Sequence, residues 1–116
     1  MKNNLIKQKT FDFAISMIKL SRLLKQKQDY VIANQLLKSG TSIGANVEEA
    51  LGGASKRDFI AKLIIANKEA RETCYWLKLI QAEDPTQNPD VQIKEANDIL
   101  NIISKIIITS KKNLND

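Results

Sequence analysis

Histidine is absent from the 116 residues, and its absence excludes the most common catalytic arrangements. Serine and cysteine nucleophiles usually depend on a histidine base, and imidazole is a frequent ligand of zinc and iron. This chain therefore has neither a histidine base nor an imidazole ligand. We therefore expect a protein that is not an enzyme and that carries no metal and no cofactor.

Cysteine occurs once, at Cys74, which excludes an intramolecular disulfide and favours a buried structural thiol. The first ten residues are polar and basic apart from Leu5 and Ile6, so they lack the apolar core of a secretory signal. No apolar run approaches the roughly 20 residues that a membrane span needs. These features predict a soluble cytoplasmic protein with no membrane partner.

Residues that interrupt regular structure are scarce, since proline occurs twice and glycine four times. Few interruptions predict few but long elements. The composition is rich in Ile, Leu, Ala and Lys and poor in Val and aromatic residues, which favours helix over sheet. With 43% apolar residues, we predict one all-α domain over residues 1–116.

Hydrophobic periodicity predicts four helices, at about residues 10–26, 30–51, 55–83 and 90–112. Their ends carry ordinary signals: Asp29 can cap the second helix, Gly52 can end it, and Ser55 can cap the third. The connecting loops are short, so consecutive helices should run antiparallel. The expected fold is an up-down-up-down antiparallel four-helix bundle.

The middle of the second helix consists almost entirely of small side chains, from Ser39 to Gly44. Gly40 and Gly44 lie four residues apart and therefore share one face of the helix. A phosphate site would need free N–H groups at a helix start, whereas these lie mid-helix. We favour close packing of another helix over a ligand site.

Helices 1 and 4 each carry two adjacent apolar stripes, more than one core-facing side requires. On helix 1 one stripe includes Phe11 and Ile15, and the other includes Phe13 and Met17. The surplus indicates either a wide core face or a subunit interface. For an interface, the predicted residues are those of the second stripe on helix 4: Ile99, Ile102 and Ile106.

Polar residues with a regular spacing form the next candidate site. Asn46 and Glu49 share a face of helix 2, as do Glu72 and Trp76 on helix 3. Carboxylates paired across a bundle can hold two metals, but that design also uses histidine. We predict a buried or half-buried structural network in which Asn46 and a basic side chain satisfy Glu72. The alternative is a solvated charged face.

The net charge of +5 favours a polyanionic partner. Basic residues are concentrated in the first 27 residues, where Asp12 is the only acid. A second group begins helix 3. The predicted nucleic-acid contacts are Lys19, Arg22, Lys25, Lys27, Lys56, Arg57 and Lys62.

The segments Tyr30–Ala50 and Ser55–Ile80 resemble a bacterial four-helix-bundle family. It is typified by proteins encoded within 23S rRNA intervening sequences, and the accessory variability protein of diversity-generating retroelements is similar to it. The most specific pieces are Ser42-Ile43-Gly44-Ala45-Asn46 and Glu72-x-x-Tyr75-Trp76-Leu77. The resemblance implies a bundle that assembles as a homo-oligomeric ring, typically a pentamer. It also implies a basic surface suited to nucleic acid and, in the retroelement branch, a reverse-transcriptase partner.

On matching positions, the resemblance makes Asn46, Glu49, Glu72 and Trp76 signature residues with structural roles. Glu48 departs from the family pattern, and the acidic pair that it forms with Glu49 weakens the case for RNA at this edge of helix 2.

Together these observations predict a non-catalytic oligomeric protein that binds structured RNA or RNA/DNA, with rRNA as one candidate target. The alternative is a protein–protein scaffold, for example an accessory subunit of a reverse transcriptase, in which the charge only aids solubility. Tyr30, Tyr75 and Trp76 are the only stacking platforms that the sequence suggests. Affinity should therefore come from backbone electrostatics, with little sequence preference.

Overall fold

The computed structural model describes residues 2–114, and their side chains from residue 5 onward. Within this part of the chain the regular structure is entirely helical, which confirms the all-α prediction. The four helices are α1 (Lys2–Gln26), α2 (Tyr30–Leu51), α3 (Lys56–Glu83) and α4 (Asp90–Leu114). No stretch of these helices combines the length and apolarity that crossing a lipid bilayer would require.

The first helix begins at Lys2, well before the predicted start near residue 10. Ile6 is 1% exposed and Thr10 is equally buried. The Thr10 hydroxyl donates to the carbonyl of Ile6 at 2.8 Å, so a buried polar side chain is satisfied within its own helix. This mostly polar segment therefore belongs to the helix and contributes buried residues to the bundle.

Consecutive helices run in opposite directions, as their contacts show. Lys7 of α1 pairs with Glu48 of α2 at 3.4 Å, while Met17 lies against Gly40. The contacts between α2 and α3, and between α3 and α4, show the same pattern. As residue numbers rise along one helix, those of the residues it contacts on its partner fall. Each helix contacts its neighbours in chain order, and α1 contacts α4 least. The resulting bundle measures 51 × 21 × 20 Å.

One stripe of α1 faces the core and the other faces outward. Phe13 and Met17 are both 0% exposed. Phe11 is 61% exposed and Ile15 39% exposed, so the stripe that contains them is not core. The surplus of apolar residues on α1 is therefore a surface feature of the monomer.

The helix ends use only some of the predicted caps. The Ser55 hydroxyl accepts a hydrogen bond from the Asp58 amide at 3.1 Å, as expected of an N-cap. The side chain of Asp29 makes no capping bond, which corrects that expectation. The turn before α2 is instead closed by Gln28 in a left-handed conformation (φ 66°).

Gly40 and Gly44 allow α1 and α2 to approach closely. A Cβ atom added to Gly40 would lie 2.8 Å from Cβ of Met17 and would also overlap its Cγ. One added to Gly44 would lie 3.2 Å from the carbonyl oxygen of Thr10. The structure thus supports the packing interpretation of the small segment.

We expect Gly40→Ala to destabilise the protein. Overpacking typically costs about 1–3 kcal/mol, and alanine recovers about 1 kcal/mol as the better helix former. The net loss should lower the melting temperature by a few degrees. Gly52→Ala is the matched control, because its Cβ would meet nothing closer than 3.8 Å. Equal melting temperatures for Gly40→Ala and the wild type would contradict the packing account.

Candidate nucleic-acid interface

The described residues contain no obvious centre for chemistry. Among them, no three potential metal-binding side chains come together. Cys74 is 6% exposed, and its thiol lies 3.6 Å from Oδ1 of Asn97. Burial raises the pKa of this thiol, which makes it a poor nucleophile at neutral pH.

Charge is distributed unequally along the bundle. We call residues 5–13, 42–69 and 102–114 the basic half, because the antiparallel pairings bring these three ranges to the same end. Among the described side chains, nine basic and five acidic ones lie in this half, against eight and seven in the other. Almost the whole net positive charge therefore belongs to one end of the molecule.

The most available cations of the basic half lie at the start of α3 and the end of α4. Lys56 and Arg57 are exposed, as are Lys105, Lys111 and Lys112. None of these five forms an ion pair with another described residue. They are therefore free to meet phosphate groups.

Two of the four remaining lysines among the described side chains at this end are already engaged in ion pairs. Lys62 pairs with Glu49 at 3.2 Å, and Lys7 pairs with Glu48. The acidic pair on α2 is thus balanced by lysines from both neighbouring helices. Of the predicted nucleic-acid contacts at this end, Lys62 is the one tied to a carboxylate.

The other predicted contacts lie at the opposite end of the bundle. Lys19, Arg22 and Lys25 occupy the last turns of α1, in the half where acidic residues nearly match basic ones. Lys27 is held by the α3–α4 loop, where its Nζ lies 3.1 Å from Asp84 and 3.0 Å from Gln87. Hydrogen bonds from Thr86, and then from Lys27, lower the pKa of Asp84. Lys27 therefore links the end of α1 to the α3–α4 loop at this end of the bundle.

The predicted polar network does not form as a buried cluster. Asn46 donates to the carbonyl of Ser42 in its own helix at 2.8 Å. Glu72 is exposed, because it precedes the core-facing Thr73 and so points to solvent. Burial, and then the neighbouring charge of Glu72, raise the pKa of Glu69. The solvated charged face, the alternative interpretation, describes these carboxylates better.

Trp76 is the one member of that set with a packing role. Its ring is partly buried against the core and meets the ring of Tyr75 edge to face, with centroids 5.2 Å apart. Its Nε1 atom is buried and makes no hydrogen bond to another described residue. An indole donor left in this state is unusual in a folded protein.

A buried polar pair that the sequence did not reveal joins α2 to α3. Ser39 and Thr73 are both 0% exposed, and their hydroxyl oxygens lie 2.9 Å apart. The Thr73 hydroxyl can donate to the carbonyl of Glu69 at 2.8 Å while accepting from Ser39. The sequence identifies Ser39 only as one of the small residues in the middle of the second helix.

The predicted interface stripe on α4 belongs largely to the monomer's own core. Ile99 is 2% exposed and Ile106 is 9% exposed, so they have almost no surface to offer a partner. Ile102 is half-buried. A wide core face, the alternative interpretation, accounts for the second stripe of α4.

Ile102 lines a cavity of about 440 Å³ within the basic half, to which α1, α3 and α4 contribute residues. Its apolar lining consists of Leu5, Phe59, Ile102 and Ile106, and its polar lining of Lys105, Thr109 and Ser110.

Comparison with known proteins identifies the chain's relatives. The family of 23S rRNA-intervening sequence proteins matches residues 2–109. A protein of unknown function from the S23 ribosomal protein family of Bacteroides thetaiotaomicron, for which a crystal structure exists, is 39% identical in sequence to this chain. It superposes with a TM-score of 0.87 over 92% of this chain and 98% of that one. Curated proteins gave no significant match. The chain therefore belongs to the 23S rRNA-intervening sequence protein family, as its sequence motifs had indicated.

Proposed function

We propose that this protein is a non-catalytic homo-oligomer that binds structured RNA, or an RNA–DNA duplex, through the basic half of the bundle. The observation that carries the proposal is the unequal division of charge, with nine basic against five acidic side chains at one end. The family's link to 23S rRNA intervening sequences makes a structured RNA the natural first target.

Phosphate contacts would supply most of the affinity. Lys56 and Arg57 project from the first turn of α3, and Lys111 and Lys112 from the last turns of α4. Lysine and arginine at such positions neutralise phosphates and release counterions without reading base sequence. Of the predicted contacts at the other end, Lys25 would add a second, weaker zone, while Lys19 and Arg22 would lie in the subunit contact described next.

Self-association would use the outward apolar faces of α1 and α3. The α1 outer face carries Phe11 and Ile15, followed by Lys19 and Arg22. We define the α3 outer face by four exposed residues along one side of the helix, three of them apolar and one a glutamate: Ile65, Glu72, Tyr75 and Leu79.

Exposed apolar residues grouped in this way usually mark a contact surface. Glu72, with Glu69 at its edge, suits the cations of the α1 outer face, although Lys68 lies nearby. Packing of the α1 outer face of one copy on the α3 outer face of the next would build a head-to-tail assembly, which closes as a ring when the rotation allows. We propose the pentamer that the resemblance implies. Five copies would carry roughly +25 and bind with avidity.

The runner-up function is a protein scaffold or an accessory subunit, for example of a reverse transcriptase. The observation that favours it is the exposed pair Tyr75 and Leu79 beside Trp76, whose buried Nε1 lacks a partner among the described residues. On this account, the α3 outer face binds another protein and the charge aids solubility.

Salt-dependent RNA binding tests the proposal. We expect the full chain to retain an rRNA stem and an unrelated RNA duplex on filters with similar affinity at 50 mM salt. Affinity should fall by about 10³-fold between 50 and 200 mM if about six phosphates are contacted. Absence of retention of either RNA at 50 mM salt would overturn the proposal in favour of the scaffold.

A further inference from the structure

The cavity between α1 and α4 is an apolar opening in the most basic part of the molecule. Five of its seven lining residues belong to α4, with Leu5 from α1 and Phe59 from α3. Its volume of about 440 Å³ falls within the roughly 300–1,000 Å³ typical of small-ligand sites. Phe59 and Ile106 form part of its walls, and Lys105 stands at its edge.

The surroundings of the cavity determine which ligand chemistry fits. Lys56 and Arg57 lie three and two residues before Phe59 in α3, with the exposed Asp58 between them and Phe59, and Lys111 and Lys112 follow Ser110 in α4. Lys105 lines the opening, and the chain next to its other lining residues in α3 and α4 carries four more cations and one carboxylate, Asp58. A ligand with an apolar, flat portion attached to a phosphate would satisfy the apolar walls and the charged rim together.

We propose that this cavity receives one unpaired nucleobase of the bound nucleic acid, such as a bulged nucleotide. The base would stack on Phe59, while Lys105 meets the adjoining phosphate and the hydroxyl groups of Thr109 and Ser110 meet the edge of the base. Unpaired bases stacked on aromatic side chains are the usual means by which proteins recognise structured RNA. This inference rests on the proposed function and adds a feature of the target to it.

Phe59 is not among the aromatic residues that the sequence suggests for stacking. The structure leaves it only partly buried, packed on the core and facing the cavity. It can therefore serve both packing and binding.

Two RNA hairpins test the inference. They are identical except that 2-aminopurine is bulged in one and paired in the other. We expect the full chain to bind the bulged hairpin about tenfold more tightly at 150 mM salt. The fluorescence of the bulged 2-aminopurine should rise on binding, because the base leaves the RNA stack.

Phe59→Leu should remove the preference for the bulge while retaining apolar volume for the core. Tyr30→Leu is the matched control, because Tyr30 is an exposed aromatic residue of the other half. Thr109→Phe provides a second variant that fills the cavity from an exposed position without removing a core side chain. It should also abolish the preference for the bulged hairpin.

The outcomes separate this inference from the proposed function. Equal, salt-dependent binding of both hairpins by the wild type would overturn the inference and leave RNA binding intact. Failure to bind either hairpin would overturn both. A change of oligomeric state in Thr109→Phe, with the bulge preference retained, would identify the cavity as a subunit contact and reject the nucleobase.

Discussion

Replacing Phe11 by glutamate is expected to dissociate the assembly into folded monomers. Phe11 is 61% exposed in the monomer, so the substitution should cost the fold little. In the proposed contact it would place a carboxylate on the apolar surface of the α3 outer face. Loss of an aromatic anchor typically costs about 2–4 kcal/mol at an interface, which weakens association by roughly 30- to 1,000-fold. Sedimentation velocity at micromolar concentration, with melting curves, measures both effects.

Two control variants make this result specific. Val91→Glu changes an equally exposed apolar residue, 67% exposed at the start of α4, and should leave the assembly intact. Ile99→Glu places a charge in the core and should unfold the monomer. A wild type that sediments as a monomer, or a Phe11→Glu variant that remains assembled, would contradict the proposed contact.

Helix boundaries were predictable wherever the sequence contains a local stop or start. The bounds of α2 coincide with the predicted ones, and α3 begins one residue later than predicted. Gly52 and Ser55 supply the signals there, because they act through their own backbone and side-chain chemistry. The start of α1 has no such signal, and its buried Thr10 reads as polar in the sequence.

The choice between two apolar stripes was not predictable from periodicity. Phe11 and Phe13 are both consistent with helical spacing, and only one can face the core. The partner helix decides, because the gap left by Gly40 accepts Met17, which lies on the same side of α1 as Phe13. The same reasoning explains why Ile99 is core and was not distinguishable from an interface residue.

The location of the net charge also depends on the pairing of the helices. A count along the chain emphasises the first 27 residues. In the bundle, however, the end of α1 lies beside the acidic end of α3, where Lys27 pairs with Asp84 at 3.1 Å. The start of α3 and the end of α4 are far apart in sequence, and the fold brings their cations to the same end of the bundle. That juxtaposition follows from the tertiary structure and not from any local motif.

The basic half can be tested by comparing two triple variants that remove the same charge. Lys56→Gln, Arg57→Gln and Lys111→Gln neutralise exposed cations of the basic half. The control variant neutralises three exposed cations of the other half: Arg71, Lys78 and Lys94. Each lost phosphate contact costs about tenfold in affinity at 50 mM salt and lowers the salt slope by about one.

The most direct test of the account is therefore the RNA affinity of these two variants, measured by fluorescence anisotropy from 50 to 200 mM salt. We predict that the basic-half variant loses on the order of 10³-fold at 50 mM salt and that its salt slope falls by about three. The control variant should lose less than about tenfold. Equal losses in the two variants would show that only the total charge matters and would contradict an RNA interface at the basic half.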